Sequence, residues 1–189
     1  MAGCGSSPSA TPTTTATPAT TAKPPASSTT TGTIASEIRL TTTTVPQANP
    51  NHIALIPVKD RSPAGHAGKA PTVVVPSGKP PTQLEMADLI VGKGAAAETG
   101  EPVNVEYVLA TYSSRKVIQS SWSDGQGPFS FTVGTGVIPG WSDGVVGMRV
   151  GGRRELIIPP SLGYGASPQG AGIAANDTLV FVIDLQSVR

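Results

Sequence analysis

Three groups of residues could do chemistry here without an acid or a base. "LGYG" sets Tyr164 between Gly163 and Gly165, where a phenol has little reason to serve a core. "PFSFTVGTGVIPGW", residues 128–141, crowds Phe129, Phe131, Trp141, Val133, Val137 and Ile138 around a Gly-Thr-Gly turn. "TLVFVIDL" adds Phe181 near the C-terminus. Turns are normally polar, because loop backbone runs over the surface and meets water. An apolar turn is therefore either a core strand that abuts a turn or the lining of an apolar pocket. Trp141, Phe129, Phe131 and Phe181 are also ordinary core candidates; Tyr164 is the least so.

What is missing narrows the chemistry. Residues 82–189 contain no His and no Cys, and the two histidines, His52 and His66, lie upstream. A His-based triad, a thiol nucleophile and a Cys/His zinc site are excluded from that part. In "GTGVIPG" the last glycine spacing is one residue too long for a dinucleotide-binding G-x-G-x-x-G. No cofactor is implied. An apolar, ring-lined patch beside hydroxyls and carbonyls suits few reactions, and rotation about an Xaa–Pro bond is one. Its barrier of about 18–20 kcal/mol comes from amide resonance, and no covalent bond breaks. A dry pocket that grips the proline ring favours the twisted, less dipolar amide over the planar one.

Several elements must position these residues. "VNVEYVLATY" alternates Val103, Val105, Tyr107 and Leu109, the period of a half-buried strand. "QLEMADLIVGKG", "RKVIQSSW", "FSFTV", "RRELIIPP" and "TLVFVIDLQSV" read as further strands. Trp141, Val145 and Met148 recur at i, i+4 and i+7, a short amphipathic helix bounded by Gly140 and Gly151-Gly152. The sum is an α+β domain: an antiparallel sheet with one short helix against it.

Composition places that domain at the C-terminal end. All eight aromatic residues fall between Tyr107 and Phe181. Residues 1–68 are rich in Thr, Ser, Pro and Ala, with too little apolar bulk to offset the entropy of ordering, and are expected to form a disordered tail and linker. The domain is expected over 69–189, with its core at about 82–189. Within the tail, "HIALIPV" could form a short strand or docking segment, and ahead of the core Val73 to Val75 of "PTVVVPSGKPP" an edge strand or extended arm. Residues 82–189 carry seven basic and ten acidic groups, which argues against nucleic acid as a partner. Arg149, Arg153 and Arg154 read as a solvated strand end.

Cys4 is the single cysteine, so no internal disulfide forms. "MAGCGSS" resembles the end of a bacterial lipoprotein signal without its apolar h-region. That resemblance implies lipidation at Cys4, a membrane association through that anchor alone, and an extracytoplasmic location. Without an upstream signal the expectation is cytoplasmic.

"VNVEYVLATYSSRKVIQSSW", "PFSFTVGTGVIPGW", "GVVGMRVGGRRELIIPPSLGYG" and "NDTLVFVIDL" together resemble an FKBP-type peptidyl-prolyl isomerase, in order, over about residues 69–189. The resemblance implies an antiparallel sheet wrapped around one short helix, with a pocket between them. That pocket takes proline-containing polypeptides or macrolides such as rapamycin. Carried onto this chain, Trp141 is the floor, Tyr107 and Phe129 are walls, and Phe181 is the inner aromatic of the last strand. Val137 precedes Ile138, whose N–H bonds a bound carbonyl. The Tyr164 hydroxyl donates to another, and Ile173 overhangs the pocket. Tyr164, Tyr107, Gln119 and Ile138 are the implied catalytic set.

The chain departs from the pattern at three places. Ile118-Gln119 stands where the family has Phe-Asp, which trades ring area and a buried carboxylate for an aliphatic chain and a carboxamide. The rim turn is one residue shorter. Ala174-Ala175 replaces Pro-Pro, which loosens the overhanging loop. The expected function is a monomeric isomerase that assists folding of exported proteins. The alternative is a weakly active module that binds proline-containing segments, and a surface stalk with a passenger domain is a third reading.

Overall fold

A strand can bury its two faces differently only if different layers cover them, and β6 (Arg153–Ile158) shows this most fully: all six of its residues are buried. The computed structural model describes residues 53–123 and 127–189, which fall within one compact unit, 43–189. The other strands are β1 (Ile53–Leu55), β2 (Leu84–Ile90), β3 (Pro102–Thr111), β4 (Val117–Ser120), β5 (Phe129–Thr132) and β7 (Leu179–Val188). The sheet runs β1-β2-β6-β7-β3-β4, with β5 also paired to β3. One edge of β3 is shared in succession: Pro102–Val105 pairs with β5, and Val108–Ala110 with β4. The other edge carries β7 along its whole length.

The alternation expected in β3 is present. Val103, Val105 and Leu109 join the main core with Leu156, Ile158, Phe181 and Ile183, and Tyr107 packs against it. Residues of opposite parity, Ala87, Ile157 and Val180, form a second cluster with Ile56 and Tyr112 on the back of the sheet. "RRELII" therefore shows no polar alternation because neither face meets water.

The back layer corrects the domain boundary expected at 69. β1 pairs parallel to β2 through Ile53–Leu84 and Leu55–Met86, so the sheet is not wholly antiparallel. Ile56 is fully buried. Val73 and Val75 lie against the back cluster as an extended arm, not as an edge strand. The weak periodicity of 53–81 reflects its role: it covers the sheet as an extended layer anchored at single points.

Those anchors are charged residues of β6, which corrects the solvated reading of two arginines. Arg153 is 1 % exposed. Its guanidinium donates to both Asp184 oxygens at 2.5 and 2.7 Å, and to the carbonyls of Ala64, His66 and Lys69. Glu155 accepts the Ser62 N–H at 2.8 Å and the Ser62 hydroxyl at 2.6 Å. Arg154 points to the opposite face, where it pairs with Asp88 and donates to the Gly144 and Val146 carbonyls. It thereby caps the C-terminal end of the helix, where a cation meets unpaired carbonyls.

That helix, α1, spans Pro139–Val145. It starts with proline at its first turn, where the missing N–H costs nothing. It ends before Met148, and Gly140 lies inside it, so the expected boundaries shift at both ends. Val146 leaves helical geometry at φ −53°, ψ 133°, and Gly147 follows at φ +76°. Met148 still enters the core, from the turn beyond the helix. Gly140 and Gly144 face β6: a Cβ on them would stand 2.4 Å from Ile158 Cγ2 and 2.5 Å from Leu156 Cδ1. Only bare backbone can approach so closely.

Burial pushes the Glu155 carboxyl above its ordinary value of 4.5, against the smaller pull of its Ser62 hydrogen bonds and of Arg61. A carboxyl raised in this way adds stability that is complete below its unfolded pKa and is lost as pH rises through the folded pKa. Glu155→Gln removes that titration and keeps polar partners for Ser62. Urea unfolding of this variant is expected to depend less on pH above about 4.5 than the parent. Glu155→Ala, which strands Ser62, is expected to lose about 1–3 kcal/mol. Equal stability of the Ala and Gln variants would show that the Ser62 anchor carries no weight.

Candidate active site

Between α1, the β3–β4–β5 end of the sheet and the loop after β6 lies an open cavity of about 500 Å³. Its lining brings together Tyr107, Gln119, Phe129, Val137, Ile138, Trp141, Tyr164 and Phe181. These come from β3, β4, β5, the approach to α1, α1 itself, the segment after β6, and β7. A hollow of this size is within the range of small-ligand sites, about 300–1,000 Å³.

Trp141 anchors the ring cluster. It is 4 % exposed, and the flush seating of α1 on β6 holds it at the base. Phe181 and Tyr107 meet it edge-to-face at centroid distances of 5.1 and 5.3 Å, with interplanar angles of 82° and 81°. Phe129 does so at 5.8 Å and 81°. Such T-shaped pairs match the positive edge of one ring to the negative face of another, each worth about 0.5–1.5 kcal/mol beyond area. Trp141 Nε1 is buried and meets no oxygen or nitrogen acceptor among the described residues, so ring faces are the acceptors left to it. Phe129 and Phe131 stack at 5.8 Å. Phe129 faces the cavity and is 42 % exposed, whereas Phe131 stands behind it against the core.

Polar groups lie around the rings. The Ile138 carbonyl accepts from the Trp141 and Ser142 N–H groups, which fixes the start of α1. Its own N–H meets no acceptor among the described residues. Thr135 bonds back to Thr132, and Gly134 and Gly136 have φ of +90° and +76°. This tight turn delivers Val137 and Ile138 to the rim. Burial pushes the Tyr164 hydroxyl above the ordinary phenol range, so it is protonated at neutral pH and able to donate. Gln119 presents a carboxamide to the cavity.

Ile118 and Ile173, carried over as substrate-binding residues, pack against the main core, as Val137, Ile138 and Tyr164 also do. Ile118 packs against the core, and the overhanging loop sits directly on it: a Cβ on Gly172 would lie 3.1 Å from Ile118 Cγ2. A ring at 118 would compete for that space. The loop that carries Ile173 offers Gln169 and Gly170 to the cavity. Gln169 has no periodicity or motif that would mark it in the sequence; only closure of the loop brings it to the rim. That loop closes through the Asn176 N–H, 2.7 Å from the Gly165 carbonyl. Asp177 pins it below by accepting from the Ser113 N–H and hydroxyl. Cys4 lies outside the described residues.

The family model for FKBP-type peptidyl-prolyl cis-trans isomerases matches residues 93–186. An FK506-binding protein of Streptomyces anulatus is 47 % identical over 120 residues, covering 62 % of this chain and 96 % of the relative. The chain belongs to the FKBP-type isomerases. A probable FK506-binding protein of Corynebacterium glutamicum is 44 % identical over 118 residues, covering 62 % and 97 %. Among solved structures, AtFKBP13 aligns with TM-score 0.52 at 34 % identity, over 58 % of this chain and 96 % of that one. FkpA from Escherichia coli gives TM-score 0.52 at 37 % identity, over 59 % and 51 %. The FKBP fold of these neighbours agrees with the sheet and single short helix described above.

In a cavity floored by rings, a ligand seated there would gain most of its affinity from burial over Trp141. Trp141→Leu removes ring area and its edge-to-face contacts. Rapamycin affinity, measured by calorimetry, is expected to fall at least about tenfold, or 1.4 kcal/mol. Unaltered affinity would mean that the floor lies elsewhere.

Proposed function

We propose that this FKBP-type isomerase works on exported polypeptides, as a monomer held at the extracytoplasmic face of the cell membrane by a lipid on Cys4. The open cavity over Trp141, flanked by the Tyr164 hydroxyl and the Ile138 N–H, carries the catalytic part of this reading. A proline ring seated on Trp141 sits in a dry, ring-walled space. There the planar amide, with its larger dipole, loses more hydration than the twisted one. The Ile138 N–H and Tyr164 hydroxyl hold flanking carbonyls in the twisted geometry, and no proton moves. A rate gain of 10⁴ to 10⁶ requires about 5–8 kcal/mol, within reach of apolar burial plus two oriented hydrogen bonds. Macrolides would compete for the same space.

Gln119 favours a second reading, a module that binds proline-containing segments and turns over slowly. Its carboxamide can donate as well as accept, so it does not distinguish the twisted amide as a fixed negative charge would. Isomerisation of Xaa-Pro peptides, followed with and without rapamycin, separates the two. We expect inhibitable turnover in the parent, a rise in kcat/KM with Gln119→Asp, and about a tenfold or greater loss with Tyr164→Phe. Background rates in the presence of tight rapamycin binding would establish the module.

Support for the location comes from "AGC" ahead of the Thr/Pro-rich stretch, whose composition suits a spacer. Metabolic labelling with a fatty acid is expected to mark the parent and not Cys4→Ser. Absence of label in a parent expressed with a lipoprotein signal sequence would remove the anchor.

A further inference from the structure

A second, smaller hollow of about 140 Å³ adjoins the cavity and shares Tyr107, Gln119 and Phe129 with it. Beyond that shared wall it runs along Ser121, Gly127, Pro128 and Ser130. At about 30 Å³ per water it has room for about four or five waters, or for one short side chain. The hollows differ in character. The larger is floored by rings, whereas the smaller is lined mainly by hydroxyls, a carboxamide and backbone.

Among the described residues, the hydrogen bonds of Ser121 and Ser130 show what their hydroxyls have left to offer. Ser121 Oγ accepts the Tyr107 N–H at 2.8 Å and donates its proton to Glu106. Ser130 Oγ donates its proton to Asn104 Oδ1. Both hydroxyl protons are thus committed to the protein, and each oxygen retains a lone pair. Gln119 adds both an acceptor and a donor at the passage between the hollows. An aliphatic side chain placed there would displace water from these oxygens and give nothing back. A side chain that carries an N–H or O–H would satisfy them.

We infer that this side hollow is a specificity subsite. It receives a short, uncharged, hydrogen-bond-donating side chain (Thr, Ser or Asn) on a residue adjoining the bound proline. The inference rests on the isomerase reading for the seat of the proline itself. It adds a substrate class: segments in which a hydroxyl or carboxamide residue stands next to proline.

Isosteric pairs test it, because they alter polarity at constant shape. Two peptide series, Ala-Xaa-Pro-Phe and Ala-Ala-Pro-Xaa, are compared with Xaa as Thr against Val and Asn against Leu. Both kcat/KM and the Kd by calorimetry are measured on the full chain. In one of the series the polar member is expected to be preferred by about three- to tenfold, the worth of one net hydrogen bond. Ser130→Ala, at an exposed strand position, is expected to bring the ratio towards one, and so is Ser121→Ala. If the buried Ser121 variant fails to fold, the Ser130 variant alone decides. A ratio of one or a preference for Val and Leu in both series overturns the subsite, as does a ratio that Ser130→Ala leaves intact. Turnover without discrimination sinks the subsite and leaves the isomerase standing. Tighter binding of the polar peptides without turnover does the reverse, and peptides that neither bind nor turn over sink both.

Discussion

The close seating of α1 on β6 is the constraint from which the site follows. Gly140 and Gly144, one helical turn apart, bring the helix backbone against Ile158 and Leu156 with no room for a Cβ. Trp141 lies between them in sequence and so turns its ring along the sheet to meet Phe181, Tyr107 and Phe129. A helix lifted by one methyl layer would raise that floor into the space a ligand needs. The remaining α1 contacts serve this placement: proline starts the helix, and Arg154 holds its last carbonyls.

β6 connects the two sides of the molecule. Alternate residues send Arg154, Leu156 and Ile158 to the helix, and Arg153, Glu155 and Ile157 to the back layer. A buried charged side chain stripped of its hydrogen-bond partners is left desolvated and unsatisfied, so such contacts specify an arrangement more than they stabilise it. Here they specify where residues 62–69 lie. The back layer in turn shields the second cluster, which would otherwise leave Ile157 and Val180 facing water.

The division of polarity within the pocket follows from strand pairing. β3 carries Tyr107 between two short partners, β5 on one half and β4 on the other. Phe129 and Ser130 come from β5 and Gln119 from β4, so a ring-lined hollow and a hydroxyl-lined one open on either side of a single wall. A chemistry that moves no proton has no use for a charged base there.

Much of this could be read from the residues in order. Alternation fixes the faces of β3 because a strand's period of two shows wherever its two faces meet different surroundings. The apolar turn before Trp141 and the glycine-flanked Tyr164 stand out because each breaks the usual rule for its position. The lack of His and Cys beyond position 82 excludes whole classes of chemistry at once. Three things were settled only when the chain closed on itself. Residues 53–81 joined the fold through one short strand pairing, single buried side chains and hydrogen bonds to Arg153 and Glu155, which leave no periodic trace. Gln169 reached the rim, because loop packing depends on contacts between distant segments. Gly140 and Gly144 took their meaning from the side chains opposite. Local pattern reports the preferences of neighbours along the chain, whereas the depth of a pocket depends on distances between segments that only folding brings together.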